Sequence, residues 1–178
     1  MTANLGPVSP TMQGEVSING GKLSLAYNPR CLKRDLSSYT ASTWLTIGNL
    51  LNLTIGPASA SVYTFQNELQ GRFTDGFLGL HAGGHFTIGG DAGDIFSSPV
   101  DPAFWLHHAM LDHVWWLWQA LHLNQASTVA GTITLFNNPP SRNTTLDDAL
   151  NMGVNAPTVA IRDVLNTLGG TPLCYIYL

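Results

Sequence analysis

The histidine residues of this chain are confined to one stretch of the sequence. All six lie between positions 81 and 122. His81 and His85 are four residues apart, so on a helix both imidazole rings project from one face about one turn apart, within reach of a single metal ion. His107 and His108 form an adjacent pair further along the chain. Each motif alone is also compatible with hydrogen-bonded structural histidines, so it is the clustering that indicates a metal site.

The adjacent histidine pair lies in the strongest helical pattern of the chain. Asp101 is a good N-cap residue, and Pro102 suits the first helical position, where its missing N–H costs nothing. The run Phe104–Leu121 is apolar almost all the way round, which predicts a helix in the middle of a domain. Asp112 lies four residues after His108 on the same helix face. We therefore expect its carboxylate to accept a hydrogen bond from the second ring nitrogen of that histidine.

Two further histidines on or near this helix have structural interpretations. His113 points in a different direction from His108, and His122 lies at the far end of the helix, where a cation suits the macrodipole. We expect neither to bind a metal ion.

The rest of the sequence predicts short elements between long irregular connections. Residues 1–36 are rich in Gly, Pro, Asn and Ser and carry turn signals. Apolar spacing and turn residues predict helices at 39–53, 59–73 and 160–168 and a short helix beginning near Thr145. They also predict strands at 22–27 and 173–178 and a strand or extended segment at 128–136. The fold class is therefore mainly α with minor β.

Composition excludes some classes of partner. The net charge is -4 and the chain has only seven Lys and Arg residues, too few for a basic surface that binds nucleic acid. No apolar run is long enough for a spanning helix, so no membrane partner is expected. Two cysteines, Cys31 and Cys174, are compatible either with one disulfide or with two unpaired thiols. Asn52-Leu-Thr54 and Asn143-Thr-Thr145 fit the glycosylation pattern and favour secretion, although no signal peptide is visible.

Two motifs together resemble a known signature. The run D-P-x-F-x-x-H-H-x-x-x-D from Asp101 to Asp112, preceded by His81-x-x-x-His85, resembles the copper-B signature of tyrosinases, catechol oxidases and related type 3 copper proteins, and short fungal members most. A looser likeness includes Asn28-Pro-Arg-Cys31 and the terminal Tyr175-Ile-Tyr177.

The resemblance implies particular roles for individual residues. His81, His85 and His108 match the copper ligands, and three neutral imidazoles suit copper well. His107 matches the neighbour of the last ligand, and Asp112 matches the helix carboxylate of the family. Phe104 matches the aromatic residue beside the site. The implied fold is half of a tyrosinase-like four-helix bundle, with one antiparallel helix pair carrying copper-B.

The family's chemistry requires two coppers, each held by three histidines. The first trio normally precedes the segments seen here, and this chain has no histidine before His81. We therefore expect residues 1–178 to be the C-terminal, copper-B part of a tyrosinase domain that lacks its copper-A half. The missing half would come from an N-terminal segment or from an oligomer partner. The chain by itself would supply one copper site.

The expected activity is a copper-dependent oxidation of phenols or o-diphenols to o-quinones by dioxygen. Many family members that hydroxylate monophenols carry Asn directly after the first copper-B histidine, and this chain has Ala82 there. We therefore expect o-diphenol oxidation to outweigh monophenol hydroxylation. The alternatives are a mononuclear copper-binding protein without oxidase activity, a structural remnant that binds no metal, and a dioxygen carrier of the hemocyanin type, which would also need the second copper.

Overall fold

The computed structural model describes residues 31–153, 155–170 and 172–178, and within them the chain is mainly helical. The strand expected at 22–27 lies outside the described residues. The helices and strands, in chain order, are α1 Ser38–Trp44, α2 Ile47–Thr54, α3 Val62–Gln70, α4 Gly79–Ile88, α5 Pro102–Leu121, β1 Ala149–Leu150, β2 Val159–Ala160 and α6 Ile161–Val164. Five 3-10 turns lie between them, at Pro57–Ala60, Phe73–Asp75, Gly90–Gly93, Ser98–Val100 and Leu135–Asn137.

The chain divides into two compact units. Among the described residues, the first comprises 31–50 together with Leu69–Asp112, and the second comprises Leu51–Glu68 together with those from His113 onward.

In the first unit, α1 and an extended segment before it lie against α4. The N–H groups of Asp35 and Ser37 donate to the carbonyls of Ile88 and Thr87 at 3.0 and 2.9 Å, so residues 31–37 follow the last turn of α4. Gly89 (φ +63°) ends α4, and a Cβ there would lie 2.4 Å from the main-chain oxygen of Asp35. This close backbone approach requires glycine and holds the end of the helix in place.

The start of α5 is fixed as the sequence predicts. The Asp101 carboxylate accepts from the N–H of Ala103 at 2.8 Å, which is the N-cap interaction. The same carboxylate, which is fully buried, receives two hydrogen bonds from Arg34, from Nε at 2.8 Å and from Nη2 at 2.7 Å. The guanidinium lowers the pKa of Asp101, chiefly through these hydrogen bonds. Arg34 was not singled out in the sequence.

The second unit is organised around the far half of α5. Trp118 and Phe65 are almost completely buried and lie 5.4 Å apart between ring centroids. The indole N–H of Trp118 donates to the carbonyl of Ser59 at 3.0 Å.

Of the four apolar positions that predicted the helix at 59–73, Val62, Phe65 and Leu69 are buried and Phe73 is exposed.

Several predicted elements differ from the observed ones. The helix expected at 39–53 is broken at Leu45 into α1 and α2. The run 128–136 is irregular apart from a single bridge between Thr132 and Asn143, and 173–178 is not a strand. The segment after Thr145 forms a turn and then β1, which pairs antiparallel with β2. Only Ile161–Val164 of the helix expected at 160–168 forms. No disulfide joins Cys31 and Cys174, and both are exposed.

No helix in the described parts of the chain combines the length and the apolar character needed to cross a membrane.

Candidate metal centre

Three histidine side chains converge in the first unit. α4 carries His81 and His85, and α5 carries His108. The Nε2 atom of His81 lies 3.1 Å from Nε2 of His85 and 3.3 Å from Nε2 of His108. Together they form a group that could hold one metal ion, with all three ligand atoms within 4.8 Å of one another. The structure thus brings together the three residues that the sequence predicts as ligands.

The other ring nitrogen of each of these histidines has a partner that can only accept. Nδ1 of His85 donates to the carbonyl of Ala92 at 2.7 Å, and Nδ1 of His108 donates to the carbonyl of Phe104 at 2.8 Å. Nδ1 of His81 donates to the side-chain oxygen of Gln70. Each neutral ring therefore carries its proton on Nδ1, which leaves the lone pair of Nε2 directed at the centre of the group.

Burial disfavours the protonated form of the two histidines on α4. Desolvation, reinforced by the neighbouring histidines, lowers the pKa of His81 to about 4. Desolvation likewise lowers the pKa of His85, opposed in part by its hydrogen bond to Ala92. At neutral pH, the Nε2 lone pairs of His81 and His85 thus face each other at 3.1 Å with no proton between them.

Such a donor set fits a bound cation. Imidazole–metal bonds of about 2.0–2.1 Å place tetrahedral ligand nitrogens roughly 3.3 Å apart, which matches the 3.1 and 3.3 Å separations of the Nε2 atoms. A cation between the rings would replace the repulsion of three lone pairs by three coordinate bonds. Neutral imidazoles are good ligands for copper, and the set of three leaves further coordination positions open.

The two glycines between His81 and His85 allow close approach from two sides. A Cβ at Gly84 would lie 2.1 Å from Cε1 of His107, and a Cβ at Gly83 would lie 2.7 Å from Cβ of Trp44. The glycines therefore let α1 and α5 pack directly on the α4 backbone between the two histidines. The neighbours that these glycines accommodate are Trp44 on α1 and His107 on α5.

His107 lies beside the three histidines and not among them. Its Nε2 donates to the main-chain oxygen of His81 at 2.9 Å, and its ring stacks on that of His81, with 5.9 Å between centroids. Desolvation lowers its pKa to about 4, so it is neutral as well. This hydrogen bond joins the side chain of His107 on α5 to the main chain of His81 on α4.

The role predicted for Asp112 as the partner of His108 is corrected. The Nδ1 proton of His108 is donated to the carbonyl of Phe104, four residues earlier in the same helix. Side chains on an α-helix lean toward its N-terminus, so the ring of His108 reaches back to the carbonyl of Phe104, one turn earlier. The Phe104 ring lies 4.0 Å from that of His108 between centroids, at the place predicted for an aromatic residue beside the site.

The remaining histidines lie in the second unit and have structural partners. His113 stacks on Tyr177 at 4.4 Å between ring centroids, and Nδ1 of His122 donates to the carbonyl of Trp118 at 2.8 Å. Neither belongs to the three-histidine group, in agreement with their sequence interpretation.

A cavity of about 500 Å³ opens beside the three histidines. Its wall is mostly apolar, and Phe104, Phe86 and Ile95 contribute to it. Ala82, the residue after the first histidine, is buried at its edge and offers no hydrogen-bonding side chain. Gln70 also lines the cavity, and sequence reasoning missed it because a glutamine at the end of a helix, eleven residues before His81, forms no motif with it.

Comparisons with known proteins give one family. The family model described as the common central domain of tyrosinase matches residues 1–121. An N-acetyl-6-hydroxytryptophan oxidase of Emericella nidulans is 32% identical, over 86% of this chain and 43% of its own length. An oxidase of Aspergillus hancockii is 32% identical, over 99% of this chain and 61% of its own length.

Solved structures agree. A mutant polyphenol oxidase from Thermothelomyces thermophila has a TM-score of 0.80 and 38% identity, and the match covers 100% of this chain and 49% of that one. The chain thus spans roughly half the length of these three relatives, between 43% and 61%. The predicted mainly helical, tyrosinase-like fold is confirmed, and this chain belongs to the tyrosinase family.

Proposed function

We propose that His81, His85 and His108 hold one copper ion, the copper-B ion of a tyrosinase-type oxidoreductase. The observation that carries the proposal is the convergence of three Nε2 lone pairs whose rings are fixed through Nδ1. Copper, when bound, supplies the electron transfer to dioxygen. The residues of this chain hold the ion, orient its ligands and shape the adjacent cavity.

The substrate class follows from that cavity and from the family. A mostly apolar space of about 500 Å³ bounded by Phe104 and Phe86 suits a small aromatic ring and keeps water away from it. In the proposed reaction, two o-diphenol molecules become o-quinones by losing four electrons and four protons, and one dioxygen becomes two waters.

A second copper requires three more histidines. The Nε2–H group of His107 donates to the main-chain oxygen of His81, and His113 and His122 have the partners described above. The described residues of this chain therefore offer one site, and the proposal assigns the other three ligands to a further segment of the same protein or to a partner chain. The share of the relatives' length that this chain spans supports that assignment.

The second candidate is a mononuclear copper-binding protein without oxidase activity. The same three-histidine group supports it, since that group is a complete set of ligands for one ion.

Copper content and turnover separate the two candidates. When the chain is loaded with copper together with the segment or partner that supplies the other three ligands, we expect two ions per functional unit, an absorption band in the near ultraviolet that depends on dioxygen, and dioxygen uptake with catechol. One ion per functional unit in that assembly, without the band or the uptake, would support the mononuclear candidate. A protein that retains no copper after dialysis would contradict both.

Substrate preference is tested at Ala82. Because no hydrogen-bonding side chain follows the first ligand, we expect o-diphenol oxidation to exceed monophenol hydroxylation. Ala82→Asn should raise the ratio of monophenol to diphenol rates several-fold, measured in parallel with a matched monophenol and diphenol. Equal rates in the unmodified protein would contradict this proposal and would leave the copper site intact.

A further inference from the structure

The two glycosylation triplets have very different surroundings. Both lie in the second unit, and neither takes part in the proposed copper site. In each triplet, an oligosaccharide would be attached to Nδ2 of the asparagine, and the Thr two residues later is part of the recognised pattern. The attached sugar is bulky and hydrophilic, so a folded chain accommodates it only where the asparagine and its surroundings face solvent.

The first triplet is built into the fold. Asn52 lies on α2, where its Nδ2 donates to the carboxylate of Glu68 at 2.9 Å and its Oδ1 accepts from the N–H of Ala58 at 3.3 Å. Thr54 is buried, with only 6% of its surface exposed. A Cβ at Gly56 would already lie 2.9 Å from Oδ1 of Asn52, so the space around this amide is filled.

The second triplet lies on the surface in an extended, non-helical segment. Asn143 is exposed, and its main chain is held by an antiparallel bridge to Thr132. The neighbouring hydrogen bonds, Thr144 N–H to Gly131 and Ile133 N–H to Arg142, join main-chain atoms and leave the Asn143 amide out. Thr145 is exposed as well.

A hydrophilic substituent also suits the apolar loop beside this segment. The hairpin that leads from Thr132 to Asn143 carries Ile133, Leu135 and Phe136, which are 50, 75 and 85% exposed. A bulky polar group at the base of this hairpin would reduce its tendency to associate.

We propose that Asn143 is the N-glycosylation site of this chain and that Asn52 carries no glycan in the folded protein. The donor is a lipid-linked oligosaccharide diphosphate. The bond from the first sugar carbon to the phosphate oxygen breaks, a bond from that carbon to Nδ2 of Asn143 forms, and the lipid diphosphate departs as the amide proton is lost. The inference is independent of copper.

The test is to direct the full chain into the secretory pathway of a yeast and to map its glycans. Glycopeptides from the medium and from the microsomal fraction are treated with a peptide-N-glycosidase, which hydrolyses the side-chain amide and converts each occupied asparagine to aspartate, and the site is read by mass spectrometry. We expect one occupied site, Asn143, in the folded protein. A glycan at Asn52, glycans at both positions, or an unglycosylated chain in both fractions would overturn the proposal.

Variants check the assignment without removing the fold. Asn143→Gln and Thr145→Ala should each abolish the mass shift, whereas Thr145→Ser should retain it. Asn124→Gln is the matched control, because Asn124 is an exposed asparagine outside any triplet, and it should leave the glycan in place. A glycan that persists in Asn143→Gln would contradict the assignment.

Discussion

At the scale of single residues, the three converging histidines are positioned mainly by backbone atoms. Two of the three Nδ1 protons are donated to main-chain carbonyls, those of Ala92 and Phe104. Main-chain acceptors move only when the local fold moves, so the directions of the Nε2 lone pairs are a property of α4, α5 and the 3-10 turn at Gly90–Gly93. Only the third partner, Gln70, is a side chain.

The glycine nearest to His107 gives a sharp residue-scale prediction. Gly84→Ala places a methyl group 2.1 Å from the His107 ring, which must then move away from the His81 backbone. Overpacking of this kind typically costs about 1–3 kcal/mol, and we expect the free energy of unfolding in urea to fall by that amount.

Two further variants control this prediction. Gly48→Ala, in α2, meets nothing closer than 3.8 Å, so it should leave stability unchanged or raise it by up to about 1 kcal/mol. His107→Ala combined with Gly84→Ala should recover part of the loss, because the clashing ring is gone. If Gly84→Ala were as harmless as Gly48→Ala, the close packing of His107 on α4 would be refuted.

The sequence predicted which histidines come together better than it predicted the residues that support them. The convergence of His81, His85 and His108 follows from spacing and motif, since helical periodicity determines which side chains share a face. Gln70 and Trp44 approach α4 from elsewhere in the chain, so their contacts depend on tertiary packing that no local pattern encodes. The predicted hydrogen bond between Asp112 and His108 considered only that the two residues share a helix face. It ignored that helical side chains lean toward the N-terminus, which brings the His108 ring to the carbonyl of Phe104.

At the scale of elements, the start of α5 is the best-supported part of the site. Asp101 caps the helix that carries His108 and also binds Arg34 through two hydrogen bonds. The capping interaction alone is worth about 0.5–2 kcal/mol. The ion pair adds to this, reduced by solvent screening because the Arg34 side chain is 44% exposed.

We therefore expect Asp101→Ala to lower the free energy of unfolding at neutral pH by about 2 kcal/mol or more. Because the folded-state pKa of Asp101 is lowered, its contribution is present above the ordinary carboxyl pKa and is lost as the pH falls through the folded value. The difference between the variant and the unmodified protein should therefore shrink in acid. Asp75→Ala, which removes an exposed pair with Arg72, is the control and should cost under about 1 kcal/mol. A loss at Asp101 no larger than that, or one independent of pH, would contradict this account.

The sequence correctly predicted elements whose local signals are strong, and it was wrong about elements whose local signals are weak. α5 has a cap, a proline at its first position and twenty residues of helical pattern, and it forms at Pro102–Leu121. The run 128–136 has strand-like residues, but within the described residues it gains only the Thr132–Asn143 bridge, so β propensity without a partner strand gives an irregular loop. The short helix expected near Thr145 does not form, although Asp148 accepts from the N–H of Thr145 as in a capping box, because the chain continues into β1, which pairs with β2.

At the scale of the whole molecule, much apolar surface remains exposed. On α5, Trp105, Leu106 and Met110 are 63, 76 and 50% exposed. Large apolar patches favour association. We expect the isolated chain to self-associate in sedimentation velocity, with a mean mass that rises with concentration, and Leu106→Gln to weaken this. A single monomeric species up to high concentration would contradict the expectation that this surface is covered in the functional protein.

Direct copper binding by the three histidines tests the central claim. In a titration with Cu²⁺ followed by electron paramagnetic resonance, we expect one tightly bound ion per chain with hyperfine coupling to three imidazole nitrogens. His81→Ala, His85→Ala and His108→Ala should each weaken binding by at least about tenfold, whereas the control His113→Ala, whose side chain stacks on Tyr177, should bind as the unmodified chain does. Unchanged affinity and an unchanged spectrum in the variant that lacks all three histidines would contradict the assignment.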